Sequence, residues 1–326
     1  MTISTVTSRA IVACALITCG GPAVAQQAYP NRNIRIIVPF PTGGSVDPMA
    51  RMVAQQLNEK WGQPVIVENR PGGNTIIGTD VVAKASPDGY TILLASLTFA
   101  TSPGLLPHLP YEPAKDFAPV ATIARSGYVL VINPSVPSNT LREFIALAKS
   151  KPGQLNYASS AIGGSLHLAA ELFNIMAGIK MQHVPYKGSS QLIPDLISGQ
   201  VHLSFQTPIG TIPFIASGRL KALGITSASR SSALPKVPTF AEGGLPKYEM
   251  AGWYGIVAPA GTPREIVRKL SDEIAGILTL PATRKELSDQ GQEPFTSTPE
   301  QFAAMIKADI DKYAKVIKAA DIRFEQ

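Results

Sequence analysis

Between the apolar run Ile34–Val38 and a helix start at Asp47-Pro48 lies Phe40-Pro41-Thr42-Gly43-Gly44-Ser45, a turn with two glycines, two hydroxyls and no charge. Glycine leaves the backbone open to approach, and the unpaired N–H groups of a helix N-terminus attract an anion. Similar ingredients recur at Arg70-Pro71-Gly72-Gly73-Asn74, at Ser96-Leu97-Thr98, at Ser159-Ser160-Ala161-Ile162-Gly163-Gly164-Ser165 and at Lys187-Gly188-Ser189-Ser190. The chemistry they offer is capture of a small anion by backbone and hydroxyl groups. The competing reading is that the glycines only let the chain bend.

Catalysis finds less support. Ser165 and His167 stand two residues apart, a spacing that on a helix turns side chains about 200° from one another. Leu166-His167 follow Ser165, so a G-x-S-x-G elbow is absent there. His167 is therefore either a ligand contact or a side chain packed in the first helical turn and bonded to backbone. His108, His183 and His202 have no metal-like spacing with one another or with acids, and neither a metal nor a cofactor is assigned. Lys187 either attracts a carboxylate or is a solvated turn lysine. Phe40 and Tyr186 either flank a ligand or hinge the core.

The elements that must position these turns read as strands alternating with helices. The β-branched run at Ile34–Val38 suits a strand buried on both faces. Asp47 and Pro48 then stand as N-cap and first residue of a helix whose Met49, Met52, Val53, Leu57 and Trp61 share a face, ending near Gly62. Strands at Val65–Glu68 and Thr91–Ala95, with a helix carrying Ile77, Val81 and Val82 between them, imply a parallel sheet. Ligands of such sheets lie beyond the carboxyl ends of the strands, so the turns at 42–45, 70–74 and 96–98 should line one edge. Residues 105–119 read as irregular, and a strand at Tyr128–Ile132 opens a second α/β series. That series runs through a helix at 140–150, strands at 155–158, 181–186, 201–205 and 220–225, and the helices between them. Trp253–Val257 returns to the first domain, and three helices each begun by proline close the chain, at 263–278, 281–290 and 299–319. The last, amphipathic through Phe302, Ile306, Ile310, Tyr313 and Ile317, should pack on the first sheet.

At 326 residues and 45% hydrophobic content the chain can fill two cores. Its formal charge of +6 is scattered, which excludes a nucleic-acid track and suits small anions. The first 25 residues differ in kind: Arg9 is their only charge, Ala10 to Cys19 is apolar, and Ala23-Val24-Ala25 fits a cleavage site. They read as a secretory signal peptide removed after about Ala25, which takes Cys14 and Cys19 with it and leaves no disulfide chemistry. Cys19 resembles a lipoprotein acceptor site, with Thr18 an atypical residue before it. No later segment approaches the length of apolar chain that spans a bilayer.

The motifs PFPTGGSVDPMAR, VIVENRPGGN, DGYTILLAS, LNYASSAIGGSLHLAAELF, VPYKGSSQLIPDLISGQV and WYGIVAPAGTP, in this order, resemble the tripartite tricarboxylate transporter receptors, the Bug or TctC-type binding proteins. The resemblance covers about Tyr29 to the end. It implies an α/β, two-lobed periplasmic binding protein of the type II-like, Venus-flytrap kind, with a mostly parallel sheet in each lobe. Lobe 1 would take 26–126 and 251–326, and lobe 2 would take 127–250. A small di- or tricarboxylate or an aromatic carboxylate would be held by backbone N–H groups, hydroxyls and ordered water rather than by arginine. Carried over, contacts come from Phe40, Pro41, Thr42, Gly43, Gly44 and Ser45 with Asp47 behind them, and from Ser96 and Thr98. On the second lobe they come from Ser159, Ser160, Ala161, Gly163, Gly164, Ser165, His167, Tyr186, Lys187 and Gly188, and from the end of the strand at 201–205 with Gln206 and Thr207. Gln206-Thr207 stands where many members carry Asp-Asn, which argues against an amino acid, whose ammonium group glutamine serves poorly. The implied partners are integral-membrane permease subunits, or a membrane sensor if the role is signalling, and the implied state is a monomer in the periplasm. The rival is a secreted hydrolase or lyase using Asp47, His167 or Lys187, which lacks an acid pair, a metal set or a nucleophile elbow.

Overall fold

The computed structural model describes residues 29–43, 46–106, 108–186 and 188–323, so the signal-peptide reading, Cys14, Cys19, Gly44, Ser45 and Lys187 lie outside the described residues. β1 (Ile34–Val38) places Ile34, Ile36, Ile37 and Val38 at zero exposure, each such burial contributing about 1.5–3 kcal/mol. α1 (Asp47–Trp61) lays Met49, Met52, Val53 and Leu57 on it and stops at Gly62, whose φ of 62° is left-handed. Val46, not Asp47, is its N-cap, and Asp47 is the first helical residue. β2 (Val65–Asn69), α2 (Ile76–Ala83) and β3 (Thr91–Ser96) follow, with β1 parallel to both strands.

α3 (Leu97–Leu105) leaves β3 at once, and β4 (Phe117–Gly127) then runs for 11 residues. The sequence marks neither element: its irregular stretch, 105–119, meets α3 only at Leu105 and β4 only at 117–119. α3 buries residues on every side, which erases the helical period, and β4 is punctuated by Pro119 at a register shift opposite Val257. After Tyr128 the chain enters β5 (Val129–Ile132), α4 (Leu141–Ser150), β6 (Asn156–Ser159), α5 (Ser165–Ala177), β7 (Gln182–Pro185), α6 (Ser189–Ser198), β8 (Leu203–Gln206), α7 (Pro208–Ala216) and β9 (Lys221–Ile225). It returns as β10 (Ala251–Pro259) and ends through α8 (Arg264–Thr279), α9 (Pro281–Asp289), β11 (Glu293–Pro294) and α10 (Pro299–Ala319).

The strands form a six-stranded sheet, β11-β4-β10-β3-β1-β2, and a five-stranded sheet, β7-β6-β8-β5-β9. Both are mixed rather than mostly parallel: β3-β1-β2 and β7-β6-β8 are parallel, and every other pairing is antiparallel. The crossings are the reason, since β10 and β5 begin where their neighbours end. The two passages are knotted together by Thr226. Its Oγ1 accepts from Tyr128 N (2.7 Å) and donates to Met250 O, its N donates to Tyr128 O (2.9 Å), and its O accepts from Met250 N (3.0 Å). α10, held at its start by a Thr298–Gln301 capping box, buries Phe302, Ile306, Tyr313 and Ile317 against α3 and β4 and reaches α5. No helix among the described residues is long and apolar enough to cross a membrane.

Candidate functional site

The carboxyl ends of β1 and β3 face those of β6 and β8 across a cavity of about 260 Å³. Its first wall consists of Phe40, Pro41, Val46, Asn74, Ser96, Leu97 and Thr98, and the opposite wall of Ser160, Ala161, Gly164, Ser165, Leu166, Ser189, Gln206 and Thr207. Tyr128, Gly252, Trp253 and Tyr254, at the crossings, close the bottom.

Five helices start on this wall. α1, α5, α6 and α7 begin at Val46, Gly164, Gly188 and Thr207 without a side-chain cap, and only α3 has one, Ser96 Oγ accepting from Thr98 N (3.3 Å). Uncapped first-turn N–H groups and the positive ends of the helix dipoles converge there. Among the described lining residues there is no Arg, Lys, Asp or Glu. The cavity is thus suited to an anion held by N–H and O–H donors.

Asp47 works from behind. Its carboxylate accepts from Gly43 N (3.2 Å), Arg51 Nε (3.0 Å) and Asn69 Nδ2 (3.0 Å), and Asn69 Nδ2 also reaches Phe40 O (3.1 Å). Burial pushes this carboxyl up, but those hydrogen bonds outweigh burial and hold it below the usual range. At Asn74 the backbone is left-handed (φ 52°), as are Gly72, Gly73 and Thr75 beside it, and the Nδ2 of Asn74 is buried with no hydrogen-bond partner. Two consecutive non-glycine residues in this region cost of order 1–3 kcal/mol each, a cost the surrounding fold must offset.

Opposite, Gln206 is fixed on both sides: Ser189 Oγ donates to its Oε1 (3.3 Å) and its Nε2 donates to Ser204 Oγ (2.8 Å). Ser165 and Tyr128 both line the cavity, and burial drives the pKa of the Tyr128 hydroxyl upward. A Cβ at Gly252 would overlap that hydroxyl. Trp253 Nε1 donates to Asp309 Oδ2 of α10 (2.8 Å), tying the cavity bottom to the last helix.

Phe40, Pro41, Ser96, Thr98, Ser160, Ala161, Gly164, Ser165, Gln206 and Thr207 meet on the wall as the sequence suggests. Thr42 and Gly43 are exposed beside it, and Gly188 caps α6 just behind Ser189. Ser159, Gly163 and His167 lie behind the second wall, where Gly163 N donates to His167 Nδ1 (2.8 Å), so His167 is bonded to backbone rather than set on the cavity surface. Tyr186 turns to Asp195 (2.7 Å), and burial, with that carboxylate second, pushes its hydroxyl up to about 12. Missed by sequence reasoning were Val46, Tyr128, Leu166, Ser189, Gly252, Trp253 and Tyr254. Ser189 lies in a turn already singled out, 187–190, though not named there as a contact, but the crossing residues are positions in or beside strands whose only signal is the chain's return to the first sheet. Among the described residues no group of three His, Cys, Asp or Glu side chains could hold a metal ion.

Two mixed α/β sheets, joined by two chain crossings and facing one another over a cleft, define a two-lobed solute-binding protein. Residues 49–322 match the tripartite tricarboxylate transporter family receptor, and the chain belongs to that family. It is 38% identical over 312 residues to Protein BugT of Bordetella pertussis, covering 95% of this chain and 96% of that one. The structure of R. palustris Rpa4515 with adipate is similar at a TM-score of 0.81 and 36% identity, over 90% of this chain and 99% of that one. MatC from Rhodopseudomonas palustris with bound malate gives 0.77 and 30%, over 89% and 100% of the two chains.

Proposed function

We propose that this protein is exported, loses its first 25 residues or so, and captures a small organic carboxylate in the cleft for delivery to a tripartite tricarboxylate-type permease. Lobe 1 takes 26–126 and 251–326, and lobe 2 takes 127–250. The observation that carries the reading is the wall itself: uncapped helix starts and hydroxyls, with no acidic or basic side chain among its described residues. Relatives solved with adipate and with malate support the same ligand class. Gln206, already engaged by Ser189 and Ser204, offers no carboxylate to an ammonium group, which argues against an amino acid. Hydrolysis is disfavoured because Ser159, whose Oγ is 2.7 Å from His183 Nε2, is fully buried and donates to Ala161 O (3.1 Å).

The test is a thermal-shift screen of mono-, di- and tricarboxylates against amino acids. A ligand at a hundredfold excess over Kd stabilises the fold by about 2.7 kcal/mol, a rise of several degrees in Tm. At least one carboxylate should give that rise. A rise with amino acids alone contradicts the reading.

A further inference from the structure

The turn that brings Ser160, Ala161, Gly164 and Ser165 to the cavity is tied from behind at two points, and both ties end on histidine. Gly163 N donates to His167 Nδ1 (2.8 Å), so the proton of that neutral ring is on Nε2. Ser159 Oγ donates to Ala161 O (3.1 Å) and lies 2.7 Å from His183 Nε2. A hydroxyl has one proton, already committed to Ala161, so it accepts from His183 Nε2–H. The bonding partners thereby assign both tautomers. The two rings stack at 3.8 Å with 16° between their planes, and Tyr157 lies against His183 at 4.9 Å. His167 comes from α5 and His183 from β7, consecutive elements that meet under this turn. Two imidazolium ions at that separation would repel, and burial holds both rings neutral well below their ordinary pKa.

We propose that His167 and His183 are a positioning pair: one as acceptor, the other as donor, they hold the turn from Ser159 to Ser165 in the shape that presents the α5 start and the Ser165 hydroxyl to the ligand. Neither ring touches the ligand. This rests on the carboxylate reading above.

The pair makes opposite demands on amide replacements. An Asn amide falls near the imidazole Nδ1 position and a Gln amide near Nε2. At 167 the needed atom is Nδ1, so His167→Asn should keep affinity within about threefold and His167→Gln should lose tenfold or more. At 183 the needed atom is Nε2, so His183→Gln should be tolerated and His183→Asn should lose tenfold or more. Titration calorimetry at neutral pH with succinate, malate and adipate reads affinity. Hydrogen exchange over 159–166 without ligand reads the turn itself, and Gly163 should exchange at least tenfold faster in His167→Gln than in His167→Asn. Equal losses for Asn and Gln at each position, or no loss with either, would overturn the proposal, because a merely packed ring shows no such crossover. If none of the probes binds the wild-type protein, the carboxylate reading fails and the role in affinity with it, whereas Gly163 exchange still decides whether His167 holds the turn.

Discussion

Gly163 shows how a residue that is not on the cavity wall can decide binding. Its φ is 69°, and a Cβ there would overlap the Leu105 side chain of α3, which belongs to the opposite wall's own helix. Gly164 has an ordinary φ of −65°, and a Cβ would sit 3.3 Å from Ala161 Cβ. Gly163→Ala should therefore weaken binding of the best carboxylate tenfold or more, about 1.4 kcal/mol, and Gly164→Ala should weaken it less, both read by calorimetry. Of the adjacent pair, the one with no side-chain room is not the one that starts the helix, and a bare Gly-Gly string does not reveal which is which. Hydroxyls and glycines in turns were legible because their chemistry is local. His183 was not, because its partner Ser159 is 24 residues away. The histidine pair also gives the fold a pH dependence. Burial, with the neighbouring His183 second, lowers His167 to about 3, and burial lowers His183 to about 4. In the unfolded chain both titrate near 6.5, so between about 6.5 and 3 the unfolded state binds more protons and stability falls as pH falls. Above 6.5 the pair contributes no slope. Facing it is Tyr157 of β6, whose hydroxyl donates to Glu171 of α5. Melting temperatures of wild type and His183→Gln from pH 8 to 4 should diverge only below about 6.5, with the variant losing less. Parallel curves would contradict the assignment.

Among the elements, α10 links the sheet to the cavity. One hydrophobic cluster runs from Leu93 of β3 through Phe302 and Ile317 of α10 to Phe173 of α5, and Trp253 stands in it with Phe302 edge-on at 5.1 Å. The sequence has two tryptophans, and Trp61 ends α1, away from the cavity lining, so only Trp253 should report the ligand. The carboxylate that shifts Tm should change intrinsic fluorescence in Trp61→Phe and leave it unchanged in Trp253→Phe. A response that survives in Trp253→Phe would place the ligand elsewhere. α10 was legible from its apolar stripe and its cap. α3 was not, since a helix buried all round has no polar face to set its period, and β4 was hidden by Pro119, which a register shift accommodates at the strand's start.

For the whole molecule, two sheets and their crossings followed from alternation, but strand direction in the crossing region did not: a strand's pattern is the same read either way, and the return of β10 between β3 and β4, with β11 beyond it, makes the first sheet mixed. The lobes meet at several places besides the Thr226 knot. Gly163 faces Leu105 on one side, and Ser232 Oγ meets Ser288 Oγ (2.9 Å) while Gly291 faces Pro208 on another. These seams enclose a space whose donors are helix starts and hydroxyls. Its most direct test is a crystal structure with the carboxylate that gives the largest thermal shift. The expected result is a carboxylate group in the cleft, within hydrogen-bond distance of the α5 start and the Ser165 hydroxyl, with hydroxyls of Ser96 or Thr98 on the facing wall. A carboxylate resting on an arginine, or lying in the surface groove beside Tyr29, Arg32 and Lys269, would contradict it.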